Sequence, residues 1–239
     1  MMTSAFIIWF YMTVWYFIAL LKKRNDLADT AWGLGFILVA FSSFILEPNQ
    51  KLLISLLLIS IWGFRLAIHI YNRNKNKKED PRYEQFKNSP YLKVFMTQGF
   101  LMWLICWPII NSSGDSSWFN LLGILIWVFG FYFESRADRE LKNFISNKAN
   151  KGKIMQAGLW SLSRHPNYFG EVTMWWGIWL LNMNSNWWTL VGPLTITFLI
   201  LKVSGVPMLE KRYEGNQEFE EYKKRVSVFI PWWPKKPKK

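Results

Sequence analysis

The 239-residue sequence predicts an all-α, polytopic integral membrane protein with about seven transmembrane helices, the N-terminus outside and the C-terminus cytoplasmic. Three observations carry that expectation. Apolar runs recur at about 3–21, 31–47, 52–71, 92–110, 118–134, 170–183 and 187–201, and a hydrocarbon core of roughly 30 Å takes about 20 apolar residues to cross as a helix. The cations sort by alternate loops: segments 22–30, 72–91, 135–169 and 202–239 hold 3, 7, 7 and 10 of the 29 Lys and Arg, Lys93 counted with the second, which leaves only Lys51 and Arg65. Basic loops stay cytoplasmic. Trp9, Trp15, Tyr16, Trp187 and Trp188 lie near the ends of these runs, as interfacial aromatics do.

Each element then has its own reading. The first span has no basic stretch before it and Lys22-Lys23-Arg24 after it, so it reads as a retained helix rather than a cleaved signal peptide. Asp26 and Asp29 precede Trp32-Gly33-Leu34-Gly35 and are expected to cap the second helix. The third span carries Arg65 and His69, four apart and so on one face, and is expected to end near Tyr71. Both side chains either snorkel toward the cytoplasm or mark a functional site. The loop that follows holds Arg73 and Asp80-Pro81-Arg82-Tyr83, a guanidinium beside an aromatic ring. Cys106, the lone cysteine, sits in the apolar fourth span, which excludes a disulfide framework.

Glu134 and Asp138 close the fifth span and lead into Arg139, Leu141 and Lys142. They are either a solvated helix end or acceptors for ribose hydroxyls or an amide, as acids are in dinucleotide sites. Next comes the densest run of polar groups, Gly158 through Glu171, in which Arg164-His165-Pro166-Asn167-Tyr168 enters an apolar helix. Pro166 suits the first helical position, so Asn167 and Glu171 share one face, and a carboxylate that far into a membrane helix is a functional signal. The sixth and seventh spans are short and joined at Asn182-Met183-Asn184-Ser185-Asn186, a tight hairpin. Ser204-Gly205-Val206-Pro207 ends the seventh span, an amphipathic charged helix runs to about Arg225, and Phe229-Ile230-Pro231-Trp232-Trp233 offers tryptophans to the headgroups.

These readings exclude several classes. The net charge of +13 is a topology signal plus attraction to anionic lipid, so nucleic acid is not the expected partner. Two histidines, His69 and His165, are too few and too separated for a metal cluster. There is no glycine-rich phosphate loop and no inverted repeat of the kind transporters carry. Any nucleotide would be held by helix ends and basic loops, with Arg73, Arg82, Arg139 and Arg164 as a phosphate cradle. Residues 1–239 are expected to form one transmembrane helical domain whose half 118–239 holds the cofactor region.

Gly158-Leu159-Trp160, Ser163 through Glu171, Asp26–Gly33, Gln98-Gly99, Ser204 through Glu210 and Phe229-Ile230-Pro231-Trp232 together resemble the bacterial branch, once a domain of unknown function of the DUF1295 type, of the steroid 5-alpha-reductase-like membrane enzymes. The resemblance covers nearly the whole chain and is most specific in its C-terminal half. It implies a seven-helix bundle in a bacterial inner membrane with NADPH in a cytoplasm-facing cavity. It implies hydride transfer to a conjugated carbon–carbon double bond in a lipid-like substrate of steroid or isoprenoid type. By the same resemblance Asn167, Glu171, Asp138 and Leu141 hold the cofactor, with Arg164, His165 and Tyr168 in the same motif. Glu134 stands where the steroid enzymes have asparagine. The Gln-Glu pair that the steroid enzymes use on their second helix is not found here, and His69 with Tyr71 or Tyr83 is the alternative for polarising a carbonyl. Two other classes stay open: a membrane methyltransferase using S-adenosylmethionine, which shares the Arg-His-Pro-x-Tyr-x-Gly segment, and a non-catalytic lipid-binding membrane protein.

Overall fold

A computed structural model describes residues 1–114, 118–184 and 186–235. Ser185 of the expected hairpin and residues 236–239 of the basic tail lie outside the described residues. The described chain is helical: α1 (Met2–Lys22), α2 (Leu27–Leu46), α3 (Gln50–Asn74), α4 (Thr97–Ile105) extended by a π-helical turn over Tyr91–Met96, α5 (Trp107–Ile110), α6 (Trp118–Ser146), α7 (Pro166–Leu181), α8 (Val191–Phe198), α9 (Val206–Lys211) and α10 (Gln217–Arg225). Among the described residues, five helical stretches are long and apolar enough to cross a membrane: Met2–Lys22, Leu27–Leu46, Gln50–Asn74, Trp118–Ser146 and Trp187–Lys211. The expected fourth span is the shorter apolar helix Tyr91–Ile105, and the expected sixth falls on the 16-residue α7. The protein is a multi-pass helical membrane protein.

The helices are inside-out relative to those of a water-soluble bundle. On α1 the inward face is Ser4, Ile8, Met12 and Ala19, while Phe6, Phe10, Phe17 and Leu21 point outward and are exposed. Lipid rewards large apolar groups on the outside, and association between helices selects small residues that let backbones approach.

The chain divides into two compact units, Met1–Leu121 with Ile178–Thr195, and Leu122–Gly177 with Ile196–Lys239. In the first, α2 and α3 cross at Gly33 and Gly63. A Cβ on Gly33 would lie 2.8 Å from the Gly63 carbonyl oxygen, and one on Gly63 would lie 2.6 Å from that of Gly33. Tyr11 donates to the Ala31 carbonyl at 2.8 Å, which ties α1 to the same crossing. The hairpin end of this unit is pinned by Asn182, which donates to Ser55 Oγ at 2.8 Å.

In the second unit α6 and α7 meet along four glycines spaced seven apart on each helix. A Cβ on Gly130 would lie 2.6 Å from the Gly170 oxygen, and one on Gly177 would lie 2.7 Å from that of Gly123. Seven residues make two helical turns, so each helix repeats its closest approach on one face. That approach fixes the level of the polar groups flanking Gly130 and Gly170.

Several boundaries differ from the sequence reading. α2 begins at Leu27, four residues before the apolar run, and α3 continues to Asn74, past Tyr71. α6 runs on to Ser146, so Glu134 and Asp138 lie inside a helix rather than at its end. A hydropathy run marks where lipid contact stops, and the helix has no reason to stop there.

Candidate functional site

The second unit brings together most of the residues singled out in the C-terminal half. Pro166 is the first residue of α7, as its missing N–H favours. One residue on, Asn167 Nδ2 donates to Asp138 Oδ1 on α6 at 3.3 Å. Glu134 is buried beside Gly170, its backbone nitrogen 2.5 Å from where a Gly170 Cβ would sit. Glu171 and Leu141 are half-buried, and Arg139 is exposed. The Asn167 Oδ1 atom is buried with no hydrogen-bond partner, an uncommon state for an amide oxygen.

The loop ahead of α7 is held from four directions. Leu159 N–H donates to Glu140 Oε2 at 2.8 Å, and Trp160 Nε1 donates to the Ala137 carbonyl at 3.1 Å. The Tyr222 hydroxyl donates to the Trp160 carbonyl. Ser163 Oγ accepts the His165 N–H at 3.1 Å and donates to the Phe229 carbonyl at 2.8 Å. Gly158 takes φ +60, and a side chain there would meet the Glu140 carboxylate.

Arg164 and His165 share one carboxylate. Arg164 Nε lies 3.0 Å and His165 Nε2 3.1 Å from Glu210 Oε1, and Arg164 also donates to the Lys223 carbonyl at 3.2 Å. The His165 ring stacks on Tyr168 with centroids 5.7 Å apart, and its Nδ1 is buried without a partner. Burial holds the His165 pKa below its ordinary value, and Arg164 pushes the same way against the pull of Glu210. The imidazole is therefore neutral at physiological pH.

In the first unit a second polar cluster forms. The Tyr83 hydroxyl contacts Asp29 Oδ1 at 2.5 Å, Arg82 reaches Asp29 at 3.1 Å and Asp80 at 3.0 Å, and Gln98 Nε2 lies 3.5 Å from the Tyr83 oxygen. Burial, with Asp29 adding to it, raises the Tyr83 pKa far above the ordinary phenol range. Asp26 and Asp29 therefore do not cap α2 through their side chains. Asp26 sits at the N-cap position without a capping bond and is held instead by Arg24, at 3.0 and 2.7 Å. A charge-assisted pair outcompetes a neutral N–H for the same oxygen. His69 is half-buried on α3, and Arg73 is exposed, donating to Asn74 at 3.2 Å.

Of the four arginines expected to form a phosphate cradle, Arg82 and Arg164 thus have carboxylate partners, while Arg73 and Arg139 are exposed. Glu210 and Gln98 carry no site role in the sequence reading and Asp29 only that of a helix cap, yet all three take part in these clusters. Their partners lie 45, 15 and 54 residues away, beyond any local pattern.

Comparison with known proteins places the chain. A family described as a protein of unknown function, DUF1295, matches residues 15–226, and the chain belongs to this family. Among curated proteins it is 28% identical over 159 residues to a steroid 5-alpha-reductase DET2 of Gossypium hirsutum, covering 63% of this chain and 58% of that protein. It is 27% identical over 114 residues to the 3-oxo-5-alpha-steroid 4-dehydrogenase 1 of Rattus norvegicus, and 30% identical over 112 residues to that of Macaca fascicularis. Each of the latter alignments covers 47% of this chain, and they span 41% and 40% of those proteins. The aligned part is therefore about half the length of these relatives. No solved structure matches.

Proposed function

We propose that the protein is a membrane-embedded, NADPH-dependent reductase of a conjugated carbon–carbon double bond in a lipid-like substrate, with its C-terminus cytoplasmic. The observation that carries this reading is Asn167, which is oriented by Asp138 while its own oxygen is buried and unpartnered. An orphaned acceptor there, with the His165 Nδ1 atom in the same state, suits a ligand rich in N–H and O–H donors. The residues present fit a nicotinamide dinucleotide, held by Asn167, Glu171, Asp138, Glu134, Leu141, His165 and Tyr168. The relatives named steroid 5-alpha-reductase and 3-oxo-5-alpha-steroid 4-dehydrogenase support the same chemistry.

NADPH would supply the hydride. Considered by itself, the first unit holds a candidate proton donor, Tyr83. The Tyr83 hydroxyl donates to Asp29 Oδ1 at 2.5 Å, and burial keeps the phenol protonated at neutral pH. A substrate carbonyl presented to Tyr83 would gain that proton as negative charge develops on its oxygen. The transfer would leave a negative charge on Tyr83 beside Asp29, which Arg82, 3.1 Å from Asp29, would offset, and His69 is the second candidate for polarising the carbonyl. In the second unit the exposed Arg139 is the cation best able to meet a 2′-phosphate, since Arg164 is committed to Glu210.

The experiment is ligand stabilisation of the purified protein with NADPH, NADH and S-adenosylmethionine. NADPH is expected to raise the unfolding temperature most. Stabilisation by S-adenosylmethionine alone would move the protein to the methyltransferases, and stabilisation by none of the three would favour a lipid-binding role.

A further inference from the structure

The segment that follows α10 has two unlike edges. Its inner edge is fixed to the loop before α7: Phe229 packs against Phe169 with centroids 5.7 Å apart, its carbonyl accepts from Ser163, and the Trp232 N–H donates to the Leu162 carbonyl at 2.9 Å. The Arg164 N–H donates to the Ser227 carbonyl at 2.9 Å, which closes the seam. Its outer edge is apolar and open. Val228, Ile230 and Trp232 are exposed, while Phe229 and Pro231 between them are half-buried. Ile230, Trp232 and Trp233 are 63%, 71% and 79% exposed. An isolated exposed Leu would mean little. Two adjacent tryptophans and an isoleucine on a backbone pinned from behind make a presented surface.

The chemistry of that surface selects its occupant. Tryptophan rings favour the headgroup level of a bilayer, and this protein already lies in one. Lys235 is exposed just beyond, and Lys236, Lys238 and Lys239 follow in the sequence. An apolar edge followed along the chain by lysines matches an anionic lipid leaflet.

We propose that residues 228–233 dock onto an anionic membrane leaflet and thereby clamp the loop 162–165 at the start of α7. The clamp follows from the bonding order. The leaflet holds the outer edge, the outer edge shares its backbone with the Ser227, Phe229 and Trp232 peptide groups, and those groups hold Leu162, Ser163 and Arg164. The inference does not depend on which cofactor the second unit binds.

The test uses the full chain in lipid nanodiscs with a nitroxide label at Ile230→Cys in a Cys106→Ala background, and a control label at Lys151→Cys. In discs containing phosphatidylglycerol the label at 230 is expected to be accessible to oxygen and shielded from a water-soluble nickel complex, with the control showing the reverse. Hydrogen exchange of the 162–167 peptide is expected to be severalfold slower there than in neutral discs, and the slowing is expected to vanish in Trp232→Ala/Trp233→Ala. A label at 230 that reports water in the anionic discs would overturn the docking. A lipid-embedded label with unchanged exchange would overturn the clamp.

Discussion

Asn167 on α7 gives its side-chain amide to Asp138 on α6 at 3.3 Å and keeps its own oxygen buried without a partner. The close approach at Gly130 and Gly170 lets the two helices touch backbone to backbone one turn from Asn167 and about two turns from Asp138. Asp138 orients the amide, so the free oxygen has one direction in which to accept.

Replacing that acceptor tests the cofactor reading. Asn167→Ala is expected to weaken NADPH binding by about 1–3 kcal/mol, the usual cost of losing a buried hydrogen-bond partner. Asn167→Asp should weaken it further, because a carboxylate would face Asp138. Titration calorimetry of both variants reads the effect, and parent-like affinity in both would remove Asn167 from the site.

Tyr83→Phe separates chemistry from binding. The substitution keeps the ring and removes the hydroxyl proton, so turnover of an enone substrate is expected to fall by about 10²–10⁴, the range for a lost general acid. NADPH affinity should stay at the parent value. Unchanged turnover would leave His69 as the remaining candidate.

Gly170→Ala should damage the second unit as a whole. The new methyl group would lie 2.5 Å from the Glu134 nitrogen and 2.6 Å from the Gly130 oxygen, and backbone on both sides cannot rotate away. Overpacking of this kind costs about 1–3 kcal/mol or more. A lowered unfolding temperature together with lost NADPH stabilisation is expected, and an unchanged one would mean that α6 and α7 can separate at little cost.

The buried His165 gives the fold a pH dependence of known sign. Its folded pKa lies below the ordinary 6.5, so between those two values the unfolded chain binds more protons and stability falls as the pH is lowered. Above that window the term is absent, because the ring is neutral in both states. The unfolding temperature should drop on acidification below about pH 6.5, and His165→Gln should flatten that slope. An identical slope in the variant would assign the effect to other groups.

The orientation inferred from the loop charges is read by cysteine accessibility. A cysteine replacing Asn150 should react with an impermeant reagent from the cytoplasmic side, and one replacing Gly114 from the outer side. Reversed labelling would invert the topology, and labelling of both from one side would reduce the number of crossings between them.

The sequence by itself determined the class of protein. Apolar runs, sorted cations and interfacial tryptophans are properties of neighbouring residues read against a bilayer, so no tertiary contact is needed to see them. The start of α7 at Pro166 and the shared face of Asn167 and Glu171 were legible for the same reason, since backbone chemistry and the helical repeat fix them locally. The glycine pairs at seven-residue spacing were equally present in the chain, though nothing in one helix says which other helix it will meet. Only the tertiary structure decided the pairings. It gave Asp29 to Arg82 and Tyr83 rather than to a helix cap, and it placed Glu210 between Arg164 and His165. A carboxylate takes the strongest donors within reach. Which donors those are depends on how separate stretches of chain pack, and the spacing of residues along the sequence carries no record of that.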